Sequence, residues 1–238
     1  STVVDPTKTA YGPYLSDPLF PSDGTEHSQK GMLQPRLGVA WDLFGKQRDI
    51  SLMKYWGLDA SKAPLTDYTI GIDTPEKMLQ KMKEKPWPIY KIKVGAEHDL
   101  ETLRLLRSQS DAVFRVDANA AWDVDTAMRF LPVLQELGVE LVEQPLAKED
   151  WEGMKRLMEV SPLPLIADES CVFESDVEKC HQHFHGINIK LTKCSGITPA
   201  RRMIQKARSL NMKVMLGCMN ESTIGSAAIA QLAPLADY

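Results

Sequence analysis

YKIKVG, residues 90–95, is a β-branched, hydrophobic run that carries lysines at alternate positions, Lys91 and Lys93. In a strand, residues two apart point to the same face. Two ammonium groups held side by side repel each other, so each is expected to have a lowered pKa and one to serve as a base near neutral pH. A solvated strand face accounts for the pair taken alone. The residues around it argue for more.

Short apolar runs recur down the chain. Residues 113–116, 141–142, 165–167, 187–189 and 214–216 read as strands, like 89–94, and amphipathic stretches at 99–108, 124–137, 150–159, 175–180, 199–210 and 222–232 read as helices. Upstream, DYTIGID (67–73) reads as a strand and Thr74-Pro75-Glu76 as a helix start, with Thr74 as N-cap and Pro75 at the first helical position. Such alternation means a parallel sheet. Lys93, Asp117, Glu143, Asp168, Lys190 and Gly217 close successive strands at intervals of 22 to 27 residues, one βα unit each time. In a (β/α) barrel those strand ends form a single rim, where active sites are built.

Residues 1–30 are rich in Pro, Gly, Ser and Asp and read as irregular. Beyond them Val39, Ala40, Leu43 and Phe44 give a short helical apolar face beside Trp41 and Asp42, with Gly45 as its stop. The expected division is a partial capping domain over residues 1–64 and a barrel domain over 65–238. The 238 residues are 43% hydrophobic and 25% charged, with a formal net charge of −4, an ordinary soluble composition. No basic cluster supports nucleic-acid binding, and no apolar run is long enough to span a membrane. Cys171, Cys180, Cys194 and Cys218 lack paired spacing and read as reduced thiols in a cytoplasmic protein; no signal peptide is visible, although the chain begins at Ser1. Oligomeric state carries no signal, which leaves a homo-oligomer open.

Three carboxylates on consecutive strands, Asp117, Glu143 and Asp168, repel one another unless a cation lies between them. An all-oxygen donor set selects a hard divalent ion, Mg²⁺ first and Mn²⁺ as the alternative. Asn119 and Glu169 are placed to orient these ligands. Lys93 lies one strand before the first ligand and Lys190 one strand after the last. Such a pair suits removal of a proton α to a carboxylate from one face and its return to the other, with Lys91 adding positive charge nearby. The stretch after the seventh strand, GCMNE (217–221), is expected to line the pocket through Cys218, Met219 and Glu221, the last being equally a helix-start acid.

KIKVG (91–95), RVDANAAW (115–122), LVEQPL (141–146), IADES (166–170) and NIKLTKCSGI (188–197), in this order and spacing, resemble the muconate-lactonizing subgroup of the enolase superfamily. The resemblance is nearest to dipeptide epimerases of the L-Ala-D/L-Glu type, is supported by AWDLFGK (40–46) and YTIGIDTPEKM (68–78), and covers about residues 31–238. It implies a Mg²⁺-dependent isomerase that inverts the α-carbon of a dipeptide's C-terminal residue. In the family's pattern Lys93 and Lys190 are the acid/base pair, Asp117, Glu143 and Asp168 hold the metal, and the reaction is often connected with peptidoglycan fragments. A cycloisomerase, an o-succinylbenzoate synthase or an N-acylamino acid racemase uses the same enolate step and is the alternative. So is a truncated, non-catalytic chain, since residues 1–30 do not resemble the family's cap. The family's eighth strand, with its Asp-x-Asp pair for the dipeptide ammonium, would start about where this sequence reaches Ala236-Asp237-Tyr238, so the barrel is expected to lack its last strand and to be C-terminally incomplete.

Other residues read as structural. His181, His183 and His185 precede the sixth strand, at the end of the barrel away from the acids, and suit solvated or packing roles. Cys194 is a packing residue, Lys193 a solvated charge near the rim, and Gly95 and Gly196 mark tight strand-to-helix turns.

Overall fold

The computed structural model describes residues 14–17, 20–22, 41, 43–96 and 98–238. Residues 1–30 are not uniformly irregular as expected, because β1 (Tyr14–Asp17) and β2 (Phe20–Ser22) pair antiparallel. Each strand of a two-stranded ribbon has one unpaired side, so Pro21 is tolerated in β2 without breaking an interior ladder.

The parallel sheet follows in chain order: β3 (Tyr68–Ile70), β4 (Ile89–Lys93), β5 (Val113–Asp117), β6 (Val139–Glu143), β7 (Leu165–Ala167), β8 (Gly186–Lys190) and β9 (Lys213–Gly217). Each strand hydrogen-bonds to the next, and every pair is parallel, which is the (β/α) barrel order that the strand–helix alternation implied. Asp237 N and Tyr238 N both donate to Val214 O, and Leu216 N donates to Tyr238 O, so residues 237–238 run alongside β9.

The helices are α1 (Leu52–Tyr55), α2 (Pro75–Glu84), α3 (Asp99–Arg107), α4 (Val124–Glu136), α5 (Trp151–Val160), α6 (Asp176–His181), α7 (Leu191–Cys194), α8 (Ile197–Ser209) and α9 (Thr223–Ala230). Thr74 caps α2 as expected, its side chain accepting from Lys77 N with Pro75 in the first turn, a device worth about 1 kcal/mol. The expected helix over 222–232 is shorter: α9 ends at Ala230, and a 3₁₀ turn spans Ala233–Leu235. No helix among the described residues is long and apolar enough to cross a membrane.

Period-two alternation sorts each strand between two environments. Val142, Leu165, Ala167, Ile187, Ile189 and Val214 join the large core beneath the helices, whereas Leu141, Ile166 and Met215 form a small separate cluster with Tyr238 on the other face. On that inner face the Arg115 guanidinium pairs with Glu140 at 2.7 Å and Asp67 at 3.1 Å and lies 5.1 Å from the Tyr238 ring. Above this plug the inner face becomes polar.

Residues 43–48 are helical, so Gly45 does not stop that helix; the chain turns at Asp49, where φ is 47°. Gly45 answers a different need, since a Cβ there would lie 2.9 Å from Ile50 O. Leu43, expected on the apolar face, is exposed, because Trp41 and Phe44 carry the buried side. Trp41 Nε1 donates to Thr198 Oγ1 of α8 at 3.1 Å, and Met53 N donates to Gln231 Oε1 at 3.0 Å, which ties this segment to the barrel helices. Val39, Ala40 and Asp42 lie outside the described residues.

Candidate active site

Strand register places the charged side chains. Lys93 is in register with Asp117, Asp117 with Glu143, and Lys190 with Gly217, so these residues end their strands at one level. Asp168 directly follows β7 and joins the same rim. Because residues two back share the face, Lys91 and Asn188 form a second tier below Lys93 and Lys190.

Lysines and carboxylates interleave on this rim. Lys91 Nζ lies 2.6 Å from Glu143 Oε2 and 3.0 Å from Asp117 Oδ2. Lys93 Nζ is 3.2 Å from the same Asp117 oxygen and donates to Asn119 Oδ1 at 2.5 Å. On the other side Lys190 Nζ donates to Asp168 Oδ2 at 2.6 Å. Asp117, Glu143 and Asp168 are each no more than 1% exposed.

The expected mutual lowering of the two lysines of YKIKVG is overturned at Lys91. Burial disfavours its charge, but the Glu143 and Asp117 carboxylates outweigh burial and hold Lys91 well above the ordinary lysine range. The neighbouring lysine is thus a weaker influence than two carboxylates in direct contact. Burial likewise pushes Asp117 up, yet Lys91 and Lys93 override it and keep this carboxyl below its usual value. Glu143 goes the other way: burial raises it to about 7 against the pull of Lys91, and the Asp117 and Asp168 charges add to the rise.

The loops that follow the strands are cross-braced. Asn119 and Ala120 adopt left-handed φ values of 43° and 63°, and Gln144 one of 36°. Such conformations in non-glycine residues persist only where surrounding bonds impose them. Asn119 N donates to Asp117 Oδ1 at 3.1 Å and Asn119 Nδ2 to Glu169 Oε1 at 3.3 Å, which brings both expected orienting residues into the network. Ala120 N donates to Gln144 O, while Gln144 Oε1 accepts from Asp168 N and Ser170 N. Gln144 therefore links the loops carrying all three acids.

Three participants were not assigned to the site from sequence. Gln144 is one. Asn188 is another: fully buried, it donates from Nδ2 to Glu143 Oε1 at 2.8 Å, and its place two residues before Lys190 was the available signal. The third is Lys193, expected to be solvated, whose Nζ instead lies 2.5 Å from Asp168 Oδ1. One helical turn brings residue 193 back beside Lys190, and the buried carboxylate attracts it.

Other candidates lie apart from this network. Cys218 and Met219 are exposed on the loop after β9, and Glu221 Oε1 accepts from Met219 N within that loop. His183 stacks edge-on against Trp151, and His185 Nδ1 accepts from Leu165 N at 3.1 Å, at the strand ends opposite the rim. Gly95 and Gly196 have φ of 134° and 128°, as tight turns require. A cleft of about 510 Å³ between residues 41–52 and α9, walled by Trp41, Ile50, Leu52 and Ile224, contains none of the rim residues.

Among the described residues no three His, Cys, Asp or Glu side chains are gathered into a ready cage for a metal ion, and lysines lie against the acids. The donor set nevertheless fits a hard divalent cation. It consists of three buried carboxylates from consecutive strands, and Glu143 Oε2 receives no well-angled hydrogen bond even with Lys91 beside it.

Residues 74–237 match the family model described as enolase C-terminal domain-like. The chain belongs to that family. Among relatives of this enolase-like chain, an L-Ala-D/L-amino acid epimerase from a Maribacter species is 55% identical over 200 residues, 84% of this chain and 59% of the relative. A crystal structure of a dipeptide epimerase from Enterococcus faecalis, complexed with Mg and L-Leu-L-Tyr, superposes with a TM-score of 0.78 at 36% identity, covering 83% of this chain and 58% of that one. A muconate lactonizing enzyme structure gives a TM-score of 0.70 at 26% identity over 78% of this chain and 55% of that one. The enolase-like chain thus spans less than two thirds of the length of each.

Proposed function

We propose that the protein is a Mg²⁺-dependent dipeptide epimerase that inverts the α-carbon of the C-terminal residue. The observation that carries this reading is the placement of Lys93 and Lys190 at opposite ends of one row of buried acids, Lys93 against Asp117 and Lys190 against Asp168. Asp117, Glu143 and Asp168 would hold the cation, with Mn²⁺ as the alternative. When bound, it would supply positive charge for the substrate carboxylate as the α-carbon loses its proton.

The two lysines exchange roles. In one direction neutral Lys93 accepts the α-proton, the C–H electron pair passes into the enolate, and the Lys190 ammonium returns a proton to the opposite face. In the reverse direction Lys190 is the base. Lys91, held charged by Glu143 and Asp117, keeps a fixed positive charge beside Lys93 and takes no part in the transfer. Asn119 restrains Lys93 through the 2.5 Å contact. Cys218, Met219 and Glu221, on the loop after β9, are the side chains we assign to the substrate's flank. The proposed division is a barrel over residues 65–238 and a partial cap over 1–64. Free Cys171, Cys180, Cys194 and Cys218 suit a reducing, cytoplasmic setting, where peptidoglycan-derived dipeptides are the proposed substrates.

Proton NMR in D₂O tests this directly. L-Ala-L-Glu and a panel of hydrophobic and cationic dipeptides, incubated with the protein and Mg²⁺, should lose the α-proton signal of the C-terminal residue. Chelator should abolish the loss, and Lys93→Ala and Lys190→Ala should each impair it. Signals that persist across the panel with a folded, Mg²⁺-binding protein would refute the dipeptide assignment.

A further inference from the structure

Asp168 is held differently from the other acids. Its two oxygens are divided between two lysines, Oδ2 to Lys190 at 2.6 Å and Oδ1 to Lys193 at 2.5 Å. At Asp117, by contrast, Lys91 and Lys93 share Oδ2, and Oδ1 accepts the backbone N–H of Asn119. Lys193 therefore occupies at Asp168 the place that a backbone donor occupies at Asp117. Local backbone geometry supplies it. After Lys190 the chain makes the single turn of α7, which ends at Ser195 with φ of 73°, and Gly196 with φ of 128° turns it into α8. Residues three apart on that turn share a side, which directs Lys193 back over the rim. Its side chain is 21% exposed, against 1% for the carboxylate it meets.

We propose that Lys193 is a positioning residue for the divalent cation. It fixes the Asp168 carboxylate through Oδ1, so that the group keeps one orientation toward the cation and toward Lys190. This inference rests on the metal-site reading above. It separates from a bystander charge by sign. An ammonium group that only sits near a cation site repels the cation, so neutralising it should tighten binding. An ammonium group that orients a ligand should, when removed, loosen binding by roughly 10- to 100-fold, the range found for groups that orient metal ligands.

The test is isothermal titration of Mg²⁺ into wild-type protein, Lys193→Met and Lys193→Arg, with the paramagnetic signal of free Mn²⁺ as an independent measure of affinity. Lys193→Met keeps the length of the side chain without its charge, and Lys193→Arg keeps a cationic donor. The expected result is weaker binding of both ions by Lys193→Met, at least about tenfold, with most of the affinity recovered in Lys193→Arg. Equal or tighter binding by a folded Lys193→Met overturns the positioning role and leaves the metal site standing. A wild-type protein that binds neither ion overturns both. Circular dichroism checks folding, and if Lys193→Met does not fold, Lys193→Gln decides the question by the same comparison.

Discussion

Gly217→Ala is the substitution whose effect can be worked most fully from the structure. A Cβ at position 217 would lie 2.5 Å from Asn188 Oδ1, 2.8 Å from Nδ2 and 3.0 Å from Cγ. Gly217 is not among the residues with positive φ, so alanine adds no backbone strain of its own. Asn188 is fully buried and cannot yield without breaking its 2.8 Å bond to Glu143. Overpacking of this kind costs about 1–3 kcal/mol, and loss of a hydrogen bond to a charged group about 1.5–3 kcal/mol. Reduced freedom of the unfolded chain offsets about 0.4–1 kcal/mol, which leaves a net loss of about 1.5–5.5 kcal/mol. Urea unfolding of wild type, Gly217→Ala, Asn188→Ala and the double variant measures it. In the Asn188→Ala background the clash is gone, so Gly217→Ala should stabilise by about 0.4–1 kcal/mol. An equal loss in both backgrounds would refute the argument that the clash acts through Asn188.

Three further outcomes are expected. Lys91→Met strands Asp117 and Glu143 without the ammonium between them, and removing one member of a buried ion pair costs about 3–5 kcal/mol; a variant with the wild-type urea midpoint would show that Lys91 does not offset their repulsion. Burial holds the His185 pKa below its ordinary value, and its neutral Nδ1 accepts from Leu165 N. The unfolded chain then binds the proton more readily, so the stability contributed by His185 is whole above about pH 6.5 and declines as pH falls through that value toward the folded pKa. Wild type should therefore lose more stability between about pH 7.5 and 5.5 than His185→Asn does, and equal losses would remove this histidine from the account. Chelator should leave the thermal midpoint unchanged in metal-free buffer, whereas Mg²⁺ at about 100 times its Kd should add about 2.7 kcal/mol; unfolding on chelation alone would contradict the lysine–carboxylate pairing.

The rim was legible because two regularities coincide. Period two fixes which residues share a face, and the spacing of one βα unit fixes which residues share a level, so Lys93, Asp117, Glu143, Asp168 and Lys190 could be aligned before any coordinates. Contact partners were less legible. Sequence puts Lys91 beside Lys93, but only the fold brings Glu143 within 2.6 Å and reverses the sense of the Lys91 shift. Lys193 was misjudged because its reach depends on the single turn of α7 and on how deeply Asp168 is buried. Gly45 was misjudged because a glycine that relieves a close approach looks, in sequence, like one that ends a helix.

The interleaving of lysines with acids also bears on the order in which the protein is assembled. Lys91, Lys93, Lys190 and Lys193 lie against Asp117, Glu143 and Asp168, so the barrel carries its own counter-ions. In small zinc-dependent domains the apo chain is unfolded, and metal supply decides whether the protein exists. Here the acids are neutralised within the polypeptide itself. A chain that neutralises its own acids is expected to fold in a magnesium-poor medium, with the divalent ion needed only for the proposed reaction.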